Sequence, residues 1–185
     1  MEVIPTEIPD VIEIRPSVHK DTRGYFFESF RKEIIQKSLG KINFVQENES
    51  MSSYGVLRGL HFQKPPYAQS KLVRVIDGMV LDVAVDIRKD SNYYGKHITV
   101  KLDSQQKNQL FIPRGFAHGF IVLSKTAAFA YKCDNYYAPG FESGIIWNDD
   151  YLSINWGIEP EKIIISSKDS QLPKLGEIDN FQTFV

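Results

Sequence analysis

The chain is poor in the groups that build disulfides, metal clusters or a strong electrostatic field. Cysteine occurs once, at Cys133 in 185 residues. No internal disulfide can form, which fits a reducing compartment. Charge of one sign is lacking too: 22 Lys and Arg against 23 Asp and Glu leave a formal net charge of −1. That balance gives no general attraction for nucleic acid or an anionic membrane, so a bound anion must be held by a local group of cations. No apolar run reaches the length needed to span a bilayer. The N-terminus, MEVIPTEIPD, is acidic and broken by prolines, unlike a signal or transit peptide. These absences lead us to expect a cytoplasmic, soluble protein with neither nucleic acid nor membrane as partner. What the chain does have is apolar matter. Hydrophobic residues make up 42%, and this length suits a single domain, 1–185, with a core of its own.

Helical periodicity is confined to one place. Phe30, Ile34, Ile35 and Leu39 repeat at helical spacing, and Gly40 follows as a C-cap. Elsewhere the pattern is short strands. Leu72–Ile76 and Met79–Ile87 flank Asp77-Gly78, a hairpin signal. In the second of these, Val80, Asp82, Ala84 and Asp86 fall on one face and Leu81, Val83, Val85 and Ile87 on the other. Further strands are expected at His97–Leu102, Gln109–Pro113, Gly119–Leu123, Ala127–Cys133 and Ile145–Trp147. Many short strands with a single short helix predict an all-β sandwich or jelly roll, which encloses a ligand pocket between its sheets.

Four clusters could carry chemistry. The first is Arg58-Gly59-Leu60-His61, with Lys71 close behind. Positions 58 and 61 point to opposite faces of a regular strand, unless Gly59 marks a bulge that re-aims one side chain. On these residues alone, a solvated edge competes evenly with a site. The second is Pro113-Arg114-Gly115-Phe116-Ala117-His118, whose Pro-x-Gly-x-x-His spacing resembles a motif of the cupin superfamily. In metal-binding cupins that His is a ligand and a partner motif supplies two more His and a Glu. Here the partner stretch is His61-Phe62-Gln63, which lacks the second His, so a tightly held metal is not expected. A hydrogen-bonded core histidine is the plain alternative for His118. In the third cluster, Phe129, Tyr131 and Cys133 share a strand face. Tyr131 is either a proton carrier in a dry pocket or packing. The fourth, Ser166-Ser167-Lys168-Asp169, gains meaning only if the fold brings Asp169 to a histidine.

Taken in order, the motifs resemble the dTDP-4-dehydrorhamnose 3,5-epimerase family. They are Asp21–Glu28, Phe44–Asn48, Leu57–Gln63, Asp82–Arg88, Ile112–Phe120, Trp147–Asp150 and Ser167–Asp169. They cover nearly the whole chain, from about residue 4 onward. Two departures fall in loops. Asp150 stands where the family usually has Pro, and Ser91-Asn92-Tyr93-Tyr94-Gly95 replaces its Ser-Pro-Thr-[Tyr/Phe]-Gly turn.

The resemblance implies a cupin-type jelly roll that acts without a cofactor, and a homodimer that shares N-terminal strands. It implies His61 as general base paired with Asp169, Tyr131 as the acid on the opposite face, and Lys71 beside the C4 oxygen. It further implies that Arg23, Glu28, Gln46, Asn48, Arg58, His118, Glu142 and Lys168 contact a nucleotide sugar, and that Tyr137 stacks on its base. The expected substrate is dTDP-4-keto-6-deoxyglucose. Three rivals remain at this point: an epimerase of C3 alone or of another nucleotide's sugar, a metal-dependent cupin, and a sugar-nucleotide binding module.

Overall fold

The computed structural model describes residues 1–178. The last seven positions of the expected domain, 179–185, lie outside the described residues. In chain order the strands are β1 (Glu2–Pro5), β2 (Ile12–Arg15), β3 (His19–Asp21), β4 (Gly24–Phe26), β5 (Gln46–Ser53), β6 (Leu57–Gln63) and β7 (Lys71–Asp77). They continue with β8 (Met79–Asp86), β9 (His97–Asp103), β10 (Gln109–Ile112), β11 (Phe116–Val122), β12 (Thr126–Cys133) and β13 (Glu142–Gly144). One sheet has the order β1-β2-β10-β7-β12-β5, and the other has β13-β6-β11-β8-β9. The pair β3–β4 forms a small separate ribbon. All strand pairs are antiparallel. This is the expected jelly-roll sandwich.

Period-two patterning explains the layers. Val73 and Val75 of β7, Ala127 and Phe129 of β12, Val80 and Ala84 of β8, and Phe116, Phe120 and Val122 of β11 meet between the sheets. Alternate residues of the same strands serve the outer faces. Val83 and Val85 of β8 with Ala117 and Ile121 of β11 pack under the C-terminal segment, against Ile145, Leu152 and Trp156. The helix α1 (Lys32–Leu39) covers the other sheet, where its buried Ile35 meets Ile14, Leu72 and Phe111. Each fully buried side chain of this size stabilises by about 1.5–3 kcal/mol over leaving it exposed. The helix starts two residues later than the spacing predicts, because Arg31 is still extended. Gly40 ends it at φ 80°.

Two expectations are corrected. Asp77-Gly78 does not close a hairpin: β7 pairs with β10 and β12, whereas β8 pairs with β11 and β9. Gly78, at φ 83°, makes a corner at which the chain crosses from one sheet to the other. Its N-terminal and C-terminal neighbours each find partners of their own, so the turn chemistry was right and the pairing wrong. The strand expected at Ile145–Trp147 lies at Glu142–Gly144 instead. Ile145 still exchanges backbone hydrogen bonds with Leu60, but the chain then turns away under the sheet. Among the described residues, no helix is long and apolar enough to cross a membrane.

Candidate active site

The bulge expected at Gly59 is present and decides the geometry. On β11, His118 faces His61 and Phe120 faces Arg58, so Gly59 and Leu60 together oppose Gly119 alone. This two-against-one register turns Arg58 and His61 to the same, inner side and leaves Leu57, Leu60 and Phe62 for the outer core. Gly59 has φ 133°, and a Cβ there would sit 2.5 Å from the Gly119 Cα, so only glycine fits.

Arg58 and His61 open into a cavity of about 560 Å³ between the sheets, also lined by Lys71, His118, Phe120, Phe129, Tyr131, Lys168 and Asp169. A smaller chamber of about 280 Å³ adjoins it, lined by Gln46, Asn48, Tyr137 and Glu142. His61, Lys71 and Tyr131 border both chambers. The five-stranded sheet contributes His61 and His118, and the six-stranded sheet contributes Lys71 and Tyr131.

Asp169 reaches the cavity from the C-terminal segment, 108 positions after His61. Its Oδ1 lies 2.8 Å from His61 Nε2, and its Oδ2 accepts the Gly59 N–H at 3.2 Å. Burial acts to raise this carboxyl, but the hydrogen bonds and charge of His61, with further bonds from Gly59 and Ser166, outweigh it and hold the group below its ordinary range. Because Nε2 is committed to a carboxylate, Nδ1 is the ring atom of His61 left for the cavity.

Opposite stands Tyr131, in hydrogen-bond contact with Asn48 and pushed to higher pKa by burial. Lys71 Nζ lies 5.9 Å from the Tyr131 ring centroid. Burial lowers its pKa, which makes the ammonium a readier proton donor. His118 is buried and bound through Nε2 to both oxygens of Asp82, at 3.1 and 3.0 Å. It is thus a satisfied core histidine and a cavity wall at once. At the mouth, Tyr137 Oη donates to Glu142 at 2.8 Å, and Lys168 Nζ holds the same Glu142 oxygen at 2.6 Å. Gln46 accepts the Tyr137 N–H at 3.0 Å and donates to Asn48 at 3.1 Å.

Eleven of the thirteen expected site residues therefore border one connected cavity. Arg23 and Glu28 do not. Arg23 sits on the β3–β4 ribbon, 88% exposed and paired with Asp21, and Glu28 is paired with Arg31. Asp82, which holds His118, went unnoticed as a member of the site, and Ser166, part of the fourth cluster, was given no role of its own. Asp82 did leave a signal, an acid on a strand whose other positions are mostly apolar, Leu81-Asp82-Val83-Ala84-Val85. For a metal, each cavity histidine is already engaged by a carboxylate, and no group of three or more His, Cys, Asp or Glu suited to a metal ion occurs among the described residues.

A histidine–carboxylate pair facing a tyrosine and a lysine across a jelly-roll cavity defines an acid–base enzyme. The family model for dTDP-4-dehydrorhamnose 3,5-epimerase matches residues 5–177. The Shigella flexneri dTDP-4-dehydrorhamnose 3,5-epimerase is 50% identical over 98% of this chain and 99% of its own length. That of Escherichia coli K12 is 51% identical over 96% of both chains. Among solved structures, the Legionella pneumophila dTDP-6-deoxy-D-glucose-3,5-epimerase in complex with dTDP-4-keto-L-rhamnose superposes with a TM-score of 0.93 at 44% identity. It covers 98% of this chain and 99% of that one. The chain belongs to the dTDP-4-dehydrorhamnose 3,5-epimerase family.

Proposed function

We propose that the protein inverts C3 and C5 of dTDP-4-keto-6-deoxyglucose through an enolate, giving dTDP-4-keto-L-rhamnose. The observation that carries this is the His61–Asp169 pair set across a single cavity from Tyr131 and Lys71. A C–H bond beside a ketone is weakly acidic, and breaking it puts charge on the C4 oxygen. His61 Nδ1 takes the proton, and Asp169 stabilises the imidazolium that results. Lys71 supplies positive charge where the enolate oxygen develops it, typically the largest catalytic contribution. Tyr131 returns a proton from the opposing sheet, which inverts the carbon. C3 and C5 both flank the ketone, so one set of groups serves both.

Arg58 and Lys168 offer cations to the diphosphate, and Arg is suited to it by its forked donors. Gln46, Asn48 and Glu142 line the chamber next to Tyr137, whose half-exposed ring offers a flat face to the base. His118 contacts the sugar. Arg23 and Glu28 serve the pocket of a partner subunit in a homodimer, which accounts for their distance from their own cavity. The protein acts as a single domain without a cofactor, in the cytoplasm, supplying deoxysugar for polysaccharide synthesis.

The test is incubation with dTDP-4-keto-6-deoxyglucose in deuterated water, followed by NMR. Deuterium at C3 and C5, with the L-sugar product trapped by reduction, is expected. Deuterium at C3 alone means a mono-epimerase, and exchange at neither carbon overturns the assignment.

A further inference from the structure

Tyr137 sits on a stretch of chain that belongs to neither sheet. Residues 134–138 run from the end of β12 to a short turn at Pro139–Phe141. The Tyr137 ring is half-exposed, so packing alone does not fix it. Its place must come from the backbone beneath it, and an irregular segment has no ladder to supply that.

Side-chain amides supply it instead. Gln63, the last residue of β6, is buried. Its Nε2 donates to the Tyr67 carbonyl at 2.7 Å and to the Tyr136 carbonyl at 3.1 Å. Its Oε1 accepts the Ala138 N–H at 2.7 Å. One amide thus bonds the residues before and after Tyr137, the service that a neighbouring strand gives within a sheet. Gln46 of β5 takes the remaining N–H, that of Tyr137 itself, at 3.0 Å. Gln69 donates to the Asn135 carbonyl at 2.8 Å, and Asn135 Nδ2 donates to the Pro66 carbonyl at 3.2 Å. The segment is therefore tied to the loop between β6 and β7 as well as to the strands. Both hydrogens of the Gln63 amide are spent on protein carbonyls, which leaves it no donor for a ligand although it lines the smaller chamber.

We propose that Gln63 is a positioning residue for the nucleotide end of the site, holding Tyr137 in place before the ligand arrives. Gln63 acts through Tyr137, whose ring meets the base. An aromatic face set in advance binds more tightly than one that must be ordered on contact, because the cost of ordering is not charged to the ligand. The amide lies two positions from His61 along β6, yet its bonds lead away from the base and toward the nucleotide. This rests on the reading of Tyr137 as the stacking residue given above.

The test is a double-mutant cycle on the binding of dTDP, which needs no turnover. Tyr137→Ala is expected to weaken dTDP binding about 5- to 150-fold, the range for losing one base–aromatic stack. Gln63→Met keeps the length of the side chain and removes its three bonds, and should weaken dTDP about tenfold. In the double variant the two effects should not add: affinity should lie within about twofold of Tyr137→Ala alone, because the second change removes what the first one positions. With the sugar nucleotide, Gln63→Met should raise KM by the same factor and keep kcat within about threefold. Independent effects in the cycle, or a tenfold fall in kcat with dTDP affinity intact, overturn the proposal and make Gln63 a structural support of His61. If Gln63→Met does not fold, hydrogen exchange in wild type decides. The Gln63 amide and the Ala138 N–H should be protected before any ligand is added; protection that arises only with dTDP refutes a site set in advance. Tyr137→Ala binding dTDP as wild type does removes the stacking role and this proposal with it. Wild type inactive on the sugar nucleotide, with the cycle as expected, sinks the epimerase assignment alone.

Discussion

Replacing Asp169 with asparagine separates the charge of the His61–Asp169 pair from its shape. The carboxyl has two neighbours that fix it, His61 Nε2 at 2.8 Å on Oδ1 and the Gly59 N–H at 3.2 Å on Oδ2. In the variant the amide oxygen must stay with Gly59, because an N–H cannot accept one. The NH2 group then faces His61 Nε2, which becomes the acceptor. The ring proton moves to Nδ1, the atom that opens to the cavity, and the base loses its lone pair there. The variant also lacks the carboxylate charge that stabilises the imidazolium. Together these effects predict a fall in kcat of about 10²–10⁴-fold with little change in KM. The assay is the initial rate of deuterium entry at C3, with thermal unfolding recorded alongside. The low folded-state pKa of Asp169 adds stability that is present above the ordinary carboxylate range of about 4 and is lost as pH falls through the folded value. The melting temperature of wild type should therefore drop toward that of the variant below about pH 4. A variant within tenfold of the wild-type rate would refute Asp169 as the partner of the base.

Four other outcomes follow from the geometry. Tyr131→Phe should keep deuterium exchange while losing inversion; product at the wild-type rate makes Tyr131 packing only. Gly59→Ala should destabilise by at least about 2 kcal/mol, since it combines a strained φ with a Cβ 2.5 Å from Gly119, and a melting temperature equal to wild type would contradict the bulge. Mixing Arg23→Ala with His61→Asn, each impaired alone, should restore turnover if Arg23 serves a partner's pocket; no recovery after subunit exchange removes that role. Dialysis against a chelator should leave kcat unchanged, because both cavity histidines are held by carboxylates; loss of turnover restored by zinc, iron or manganese would reverse this.

What the sequence showed and what it hid differ for physical reasons. Apolar strands such as β8 and β11 were plain because burial on both faces demands Val, Ile, Phe and Ala. β5, Gln46–Ser53, carries Glu, Asn and Ser on alternate positions and was passed over. One of its faces lines a polar cavity and the other meets solvent, so neither shows hydrophobic alternation. Asp77-Gly78 announced a reversal of the chain but not which sheet each arm would join, since turn residues fix local φ and not distant partners. Gly59 was legible as a bulge because two polar residues three apart needed a common face. The Asp169 contact was not legible from local pattern, because it joins residues 108 apart, and only the family resemblance pointed to it. Asp82 was seen as part of a strand and missed as part of a site. A lone acid says nothing about what lies across the gap.

The gap itself sets the stereochemistry. His61 hangs from one sheet and Tyr131 from the other, and packed sheets stand about 10 Å apart because of the side chains between them. A sugar ring held in that slot meets one group above and one below. The spacing of the two is fixed by Phe120 against Phe129, whose rings stack at 4.0 Å beside the cavity. Thinning that stack, with Phe129→Leu for example, would let the two walls approach without altering any group that handles a proton. The aromatic pair thus works as a spacer gauge, and under the proposed reaction the outcome at both carbons depends on a dimension kept by two apolar walls of the cavity that carry no titratable group.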